Sequence, residues 1–118
     1  MTGLTTHVLD TANGIPAEGM IIELWRSVDD SEPILIKTVT TNSDGRTDAA
    51  LLTSAEVASG GFELRFHVGD YFRSLKTLTA DPPFLEIVPV NFAIADTGQH
   101  YHVPLLVSPW SYSTYRGS

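Results

Sequence analysis

Apolar and polar positions alternate along most of this chain. Successive side chains of a β-strand point to opposite faces, so period two in hydrophobicity marks a half-buried strand. The clearest stretch is FELRFHV (62 to 68), in which Phe62, Leu64, Phe66 and Val68 share one face and Glu63, Arg65 and His67 the other. The same pattern predicts strands in THVLD (6 to 10), MIIELWRS (20 to 27), ILIKTVT (34 to 40), TDAALL (47 to 52), EIVPVNFAI (86 to 94), HYHVPLLV (100 to 107) and SYSTY (111 to 115). Turn chemistry separates them: Asn13-Gly14 with Pro16, Asp29-Asp30, Ser43-Asp44-Gly45, Gly69-Asp70, Pro82-Pro83 and Thr97-Gly98. One segment, SAEVASGG (54 to 61), predicts a helix of two turns at most, with Thr53 or Ser54 as N-cap, Glu56 in the first turn and Gly60 as the stop. Many short strands with turns between them predict an all-β sandwich or barrel. Pro89 and Pro104 lack the N–H a central strand needs, which places their segments near sheet edges or at irregularities. Unprotected edges invite pairing with another subunit, so oligomerisation is expected.

With 118 residues the chain is expected to form a single domain over 1–118, and it shows no repeat, low-complexity tract or linker. A content of 42% hydrophobic and 18% charged residues is that of an ordinary soluble globular protein. The formal charge of −7, with only 7 Lys and Arg, argues against nucleic acid as a partner, because a phosphate backbone must be met by a basic surface. An anionic small substrate stays open where a local arginine meets it. The absence of cysteine removes disulfides, thiol catalysis and thiolate metal sites. No signal-like segment and no window near the roughly 20 apolar residues of a membrane span is present, so no membrane partner is expected and a cytoplasmic location is.

The chain has four histidines, the one side-chain type here whose unperturbed pKa lies near neutrality. His100 and His102 share a face if their segment is a strand, and His7 from another strand would complete a set like the three imidazoles of some zinc hydrolases. The alternative is three half-exposed surface residues. His7 shares its face with Thr5 and Leu9, which suits either a cleft or a partly buried ring bonded to a backbone carbonyl. Arg46 leaves a turn at Asp44-Gly45; it is a surface charge unless it points into a cleft, where its planar fork could hold an anionic, amide-rich heterocycle. No G-x-S-x-G elbow, H-E-x-x-H helix, Walker loop or dinucleotide fingerprint occurs.

Four stretches together resemble one family. LTTHVLDTANGIPAEGM, SDGRTDAALL, FHVGDYF and the ending HYHVPLLVSPWSYSTYRGS are similar to the 5-hydroxyisourate hydrolases, the transthyretin-related enzymes of urate degradation, over essentially the whole chain from Leu4. The closing YRGS is the most specific match, being a mark of the enzymes that the hormone carrier transthyretin lacks. The resemblance implies a transthyretin-like sandwich of two four-stranded sheets with one short helix, assembled as a homotetramer with active sites at subunit interfaces. It implies hydrolysis of 5-hydroxyisourate with no cofactor and no metal. Carried over by motif, the catalytic set falls on His7, Arg46, His102 and Ser118, with Tyr115, Arg116 and Gly117 lining the substrate; His100 precedes its motif and is left out. A small-ligand-binding module of the same fold, without catalysis, is the alternative.

Overall fold

A computed structural model describes residues 2–77 and 80–117. The elements run β1 (Gly3–Asp10), β2 (Ile15–Pro16), β3 (Ile21–Arg26), β4 (Ile34–Thr40), β5 (Gly60–Phe66), α1 (Val68–Ser74), β6 (Val88–Ile94), β7 (His100–Val107) and β8 (Tyr112–Thr114). They form two four-stranded sheets, ordered β2-β1-β7-β8 and β4-β3-β5-β6. This is the transthyretin-like sandwich that the resemblance implied. All pairings are antiparallel except one: β1 and β7 run parallel from Gly3 opposite His100 to Asp10 opposite Val107.

Alternation along each strand decides what is buried. Leu4 and Val8 of β1, with Val103, Leu105 and Val107 of β7, face Ile22, Leu24, Phe62, Leu64, Phe66, Val90 and Ile94 of the other sheet. Each such side chain withdrawn from water contributes about 1.5–3 kcal/mol, which sets the inner faces and by parity the outer ones. Thr5, His7 and Leu9 of β1 and His100, His102 and Leu106 of β7 are left half-buried on the outside of the first sheet.

Two predicted elements fall elsewhere. Segment 54–61 holds no helix. Its capping signal is real, since Glu56 Oε1 accepts from Thr53 N at 2.9 Å, but only Val57 follows to pack on the core before Gly60 opens β5. The helix lies at Val68–Ser74, where Val68, Tyr71 and Phe72 stand three and four residues apart and are buried. Gly69 is accommodated there because a Cβ would run into the Glu86 side chain. The predicted strand at 47–52 is instead an irregular run beside β1, touching it through isolated bridges at His7–Arg46 and Leu4–Leu52. Leu51 and Leu52 are consecutive and both buried, so the run does not alternate as a half-buried strand does.

Both prolines sit where the missing N–H costs nothing. Pro89 lies in β6, an edge strand. The Pro104 carbonyl accepts from Thr114 Oγ1 at 2.8 Å, so its nitrogen faces the β8 side, one residue beyond the last β7–β8 pair at Leu105 and Thr114. Buried Asp10 closes β1: its carboxylate accepts from Ala12 N, Asn13 N, Asn13 Nδ2 and Tyr71 Oη, tying the following turn and α1 to the first sheet.

Candidate active site

The parallel register sets Thr5 directly opposite His102 and Gly3 opposite His100. Thr5 Oγ1 therefore lies between two imidazoles, 2.8 Å from His102 Nδ1 and 3.0 Å from His100 Nε2. The two rings stand side by side with centroids 6.3 Å apart and planes at 29°.

Arg46 reaches this face through a tight turn. The Asn42 side-chain oxygen accepts from Asp44 N and Arg46 N, Gly45 N donates to Asn42 O, and Asn42 N donates to Arg46 O. Gly45 is needed here twice over: its φ is 74°, and a Cβ would lie 2.4 Å from the Val8 carbonyl oxygen that the turn presses against. Val8 N donates to Gly45 O at 2.8 Å, and the antiparallel bridge then sets Arg46 opposite His7.

His7 has a defined tautomer when neutral. Its Nε2 lies 2.9 Å from the Asp44 carbonyl, which can only accept, so Nε2 carries the proton and Nδ1 is left with a free lone pair. The sequence-derived alternative for His7, a ring bonded to a backbone carbonyl, thus describes one nitrogen and leaves the other available. Burial pushes the His102 imidazole below the usual histidine range, and the Arg46 guanidinium, His100 and His7 push in the same direction. Each of these favours the uncharged form of His102.

Thr5, Arg46, His100 and His102 line an open cavity of about 390 Å³ whose far wall is the irregular segment 47–50. The chain's tail meets it from β7. Gly117 N donates to the His102 carbonyl at 2.7 Å, and a Cβ on Gly117 would lie 2.7 Å from His102 Cδ2. Close approach to the ring, rather than freedom to turn, is what glycine supplies at this position. Tyr115 and Arg116 point elsewhere. Their side chains line a separate cavity of about 250 Å³ with Val90, Phe92 and Tyr101. Arg116 lies over the Tyr101 ring at 4.1 Å and donates to Gln99 Oε1 and the His100 carbonyl, which braces the tail against β7. Ser118 lies outside the described residues.

The structure thus gathers His7, Arg46 and His102 on one face with the Gly117 backbone at its border. It adds Thr5 and His100, which motif matching left out; Thr5 shares the parity of His7, but its bridging position depends on a pairing between strands nearly a chain length apart. The fourth histidine, His67, belongs to the other sheet. Its Nε2 meets Glu23, and that bond, with a second from Trp25 Nε1, holds the Glu23 carboxyl below its ordinary range. Among the described residues no group of three His, Cys, Asp or Glu side chains is arranged to hold a metal ion, and no helix is long and apolar enough to cross a membrane.

Known proteins share this chain's sequence and fold. Residues 4–117 match the family described as HIUase/Transthyretin. 5-hydroxyisourate hydrolase 2 of Rhizobium meliloti (strain 1021) is 60% identical over 115 residues, covering 98% of this chain and 95% of the relative. A crystal structure of (S)-allantoin synthase superposes with a TM-score of 0.90 at 48% identity, over 98% of this chain and 43% of that one. Sea bream transthyretin in complex with thyroxine superposes with a TM-score of 0.86 at 25% identity, over 97% and 93% of the two chains.

Proposed function

The chain belongs to the HIUase/Transthyretin family, and from that premise we propose that it is a 5-hydroxyisourate hydrolase, opening the ring amide between N1 and C6 to give 2-oxo-4-hydroxy-4-carboxy-5-ureidoimidazoline. The observation that carries this is the convergence of two neutral-capable imidazoles and a guanidinium, His7, His102 and Arg46, around one face. Amide hydrolysis asks for a base to take a proton from water, a positive group to offset charge growing on the carbonyl oxygen, and a donor for the departing nitrogen. The free Nδ1 of His7 serves as the base. Arg46 holds the substrate and offsets the oxyanion. His102, neutral and held at Nδ1 by Thr5, presents Nε2 as the donor. Each proton transfer contributes roughly 10²- to 10⁴-fold.

Ser118 follows Gly117 and completes the set by assisting His7 with the water, while Arg116 braces the tail against β7. The protein acts as a single domain over 1–118 in a cytoplasmic homotetramer, with clefts closed by neighbouring subunits. The exposed edge strands β6 and β8 and the open histidine cavity support that assembly. No cofactor is called for in these steps.

The test is spectroscopic. The unstable substrate is generated with urate oxidase, the protein is added, and the absorbance decay is followed. Decay faster than in buffer is expected. Decay at the buffer rate would refute the assignment and favour the non-catalytic ligand-binding module of the same fold.

A further inference from the structure

When His102 gives up its Nε2 proton, the ring must regain one at Nδ1 or become an anion. Nδ1 faces Thr5 alone among the described residues, and Thr5 faces His100 in turn. We propose that Thr5 and His100 form a proton relay behind His102, acting as positioning residues for the hydrolysis.

A hydroxyl carries one proton and accepts two, so Thr5 can donate to one ring only while accepting from the other. For His102 to direct an N–H into the cavity, Thr5 must donate to its Nδ1 and accept from His100 Nε2–H. As the Nε2 proton of His102 passes to the departing ring nitrogen, Nδ1 takes the Thr5 proton, Thr5 takes the Nε2 proton of His100, and Nδ1 of His100 takes one from water. Neither His100 nor His102 becomes charged. His100 is half-buried on the cavity wall and its Nδ1 has no hydrogen bond among the described residues, which leaves it open to solvent. Reverse transfer resets the chain: Nε2 of His102 takes a proton from water in the cavity, its Nδ1 proton passes to Thr5, the Thr5 proton passes to Nε2 of His100, and Nδ1 of His100 returns its proton to water. The proton that His7 took from the attacking water is released, so one water is consumed and the count closes.

The proposal rests on the hydrolase function above, and the test separates the two. Thr5→Val keeps the β-branched shape and removes the hydroxyl, whereas Thr5→Ser keeps the hydroxyl. Thr5→Val is expected to lower kcat by about 10²-fold with KM within about threefold, the lower end of what a proton-transfer group contributes, and Thr5→Ser to stay within about threefold of the parent in both. Mixed H₂O/D₂O kinetics should give a curved dependence of kcat on deuterium fraction in the parent and a straight one in Thr5→Val. ¹⁵N NMR of the unaltered protein should find both His100 and His102 protonated at Nε2. Unchanged kcat in Thr5→Val, equal losses in the two variants, or a His102 ring protonated at Nδ1 would each overturn the relay. Should the parent fail to hasten decay of 5-hydroxyisourate, the hydrolase assignment falls, while the NMR still decides the resting hydrogen-bond chain without reference to activity or to either variant's folding.

Discussion

Gly117→Ala isolates the contact between the tail and the site. The backbone at 117 lies outside the left-handed region, so alanine meets no conformational strain there and any effect comes from the added methyl. That carbon would lie 2.7 Å from His102 Cδ2, 3.4 Å from Cγ and 3.5 Å from Cβ. Non-bonded carbons settle at roughly 3.5–4.0 Å, so ring and tail must separate by about 0.8 Å or more. Neither partner moves freely. The tail is held by the 2.7 Å bond from Gly117 N to the His102 carbonyl and by Arg116, and the ring by the 2.8 Å contact of Nδ1 with Thr5. A displacement of that size at a reacting group costs on the order of 10²-fold. Stability should change little, since one tail hydrogen bond is worth about 1 kcal/mol. Steady-state kinetics on freshly generated 5-hydroxyisourate, paired with urea unfolding, read the two effects separately. The expected result is a loss in kcat/KM of ~10²-fold with unfolding free energy within about 1 kcal/mol of the parent. A variant with kcat/KM within threefold of the parent would show that the tail does not shape the site.

Arg46→Gln should lower kcat/KM by about 10²- to 10³-fold, the cost of removing one oxyanion donor, and should raise the His102 pKa in an NMR titration because a neighbouring positive charge is gone. Either an unmoved His102 titration or an unchanged rate would remove Arg46 from its role. Since the folded protein lowers the His102 pKa, the unfolded chain binds the extra proton first; this part of the stability is intact above about pH 6.5 and is lost as pH falls through the folded-state value. Chemical denaturation at pH 7 and pH 5 should therefore show a smaller acid-side loss in His102→Asn than in the parent, and equal losses would contradict the sign. Tyr71→Phe removes a hydrogen bond to the buried Asp10 carboxylate and should cost about 1.5–3 kcal/mol of unfolding free energy with little change in kcat.

Strand faces were legible because burial follows parity. That alone put His7 with Thr5 and His100 with His102. Arg46 was legible through the turn chemistry of Asp44-Gly45. What parity could not supply was the partner of each strand: the parallel match of β1 with β7 joins residues 95 positions apart at Thr5 and His100, and no local pattern encodes it. The helix was misplaced because the capping signal at Thr53 and Glu56 outran its apolar anchor, while alternation in FELRFHV carried on through Val68 into what is the first turn of α1. Gly69-Asp70 looked like a turn, and only the neighbouring Glu86 explains the glycine. The tail entered through resemblance; its contact with His102 is a matter of packing that spacing does not reveal.

The parallel seam has a temporal consequence. Apart from the two-residue β2 and the irregular bridges at 46 and 52, β1 has no sheet neighbour until residues 100–107 exist, so during synthesis it waits through most of the polypeptide with Leu4 and Val8 uncovered. Contacts of such separation close slowly. Because the same seam unites His7 with His102, a nascent chain gains its reactive face only when its oldest strand is finally sealed by one of its youngest, and catalytic competence arrives together with a finished hydrophobic interior.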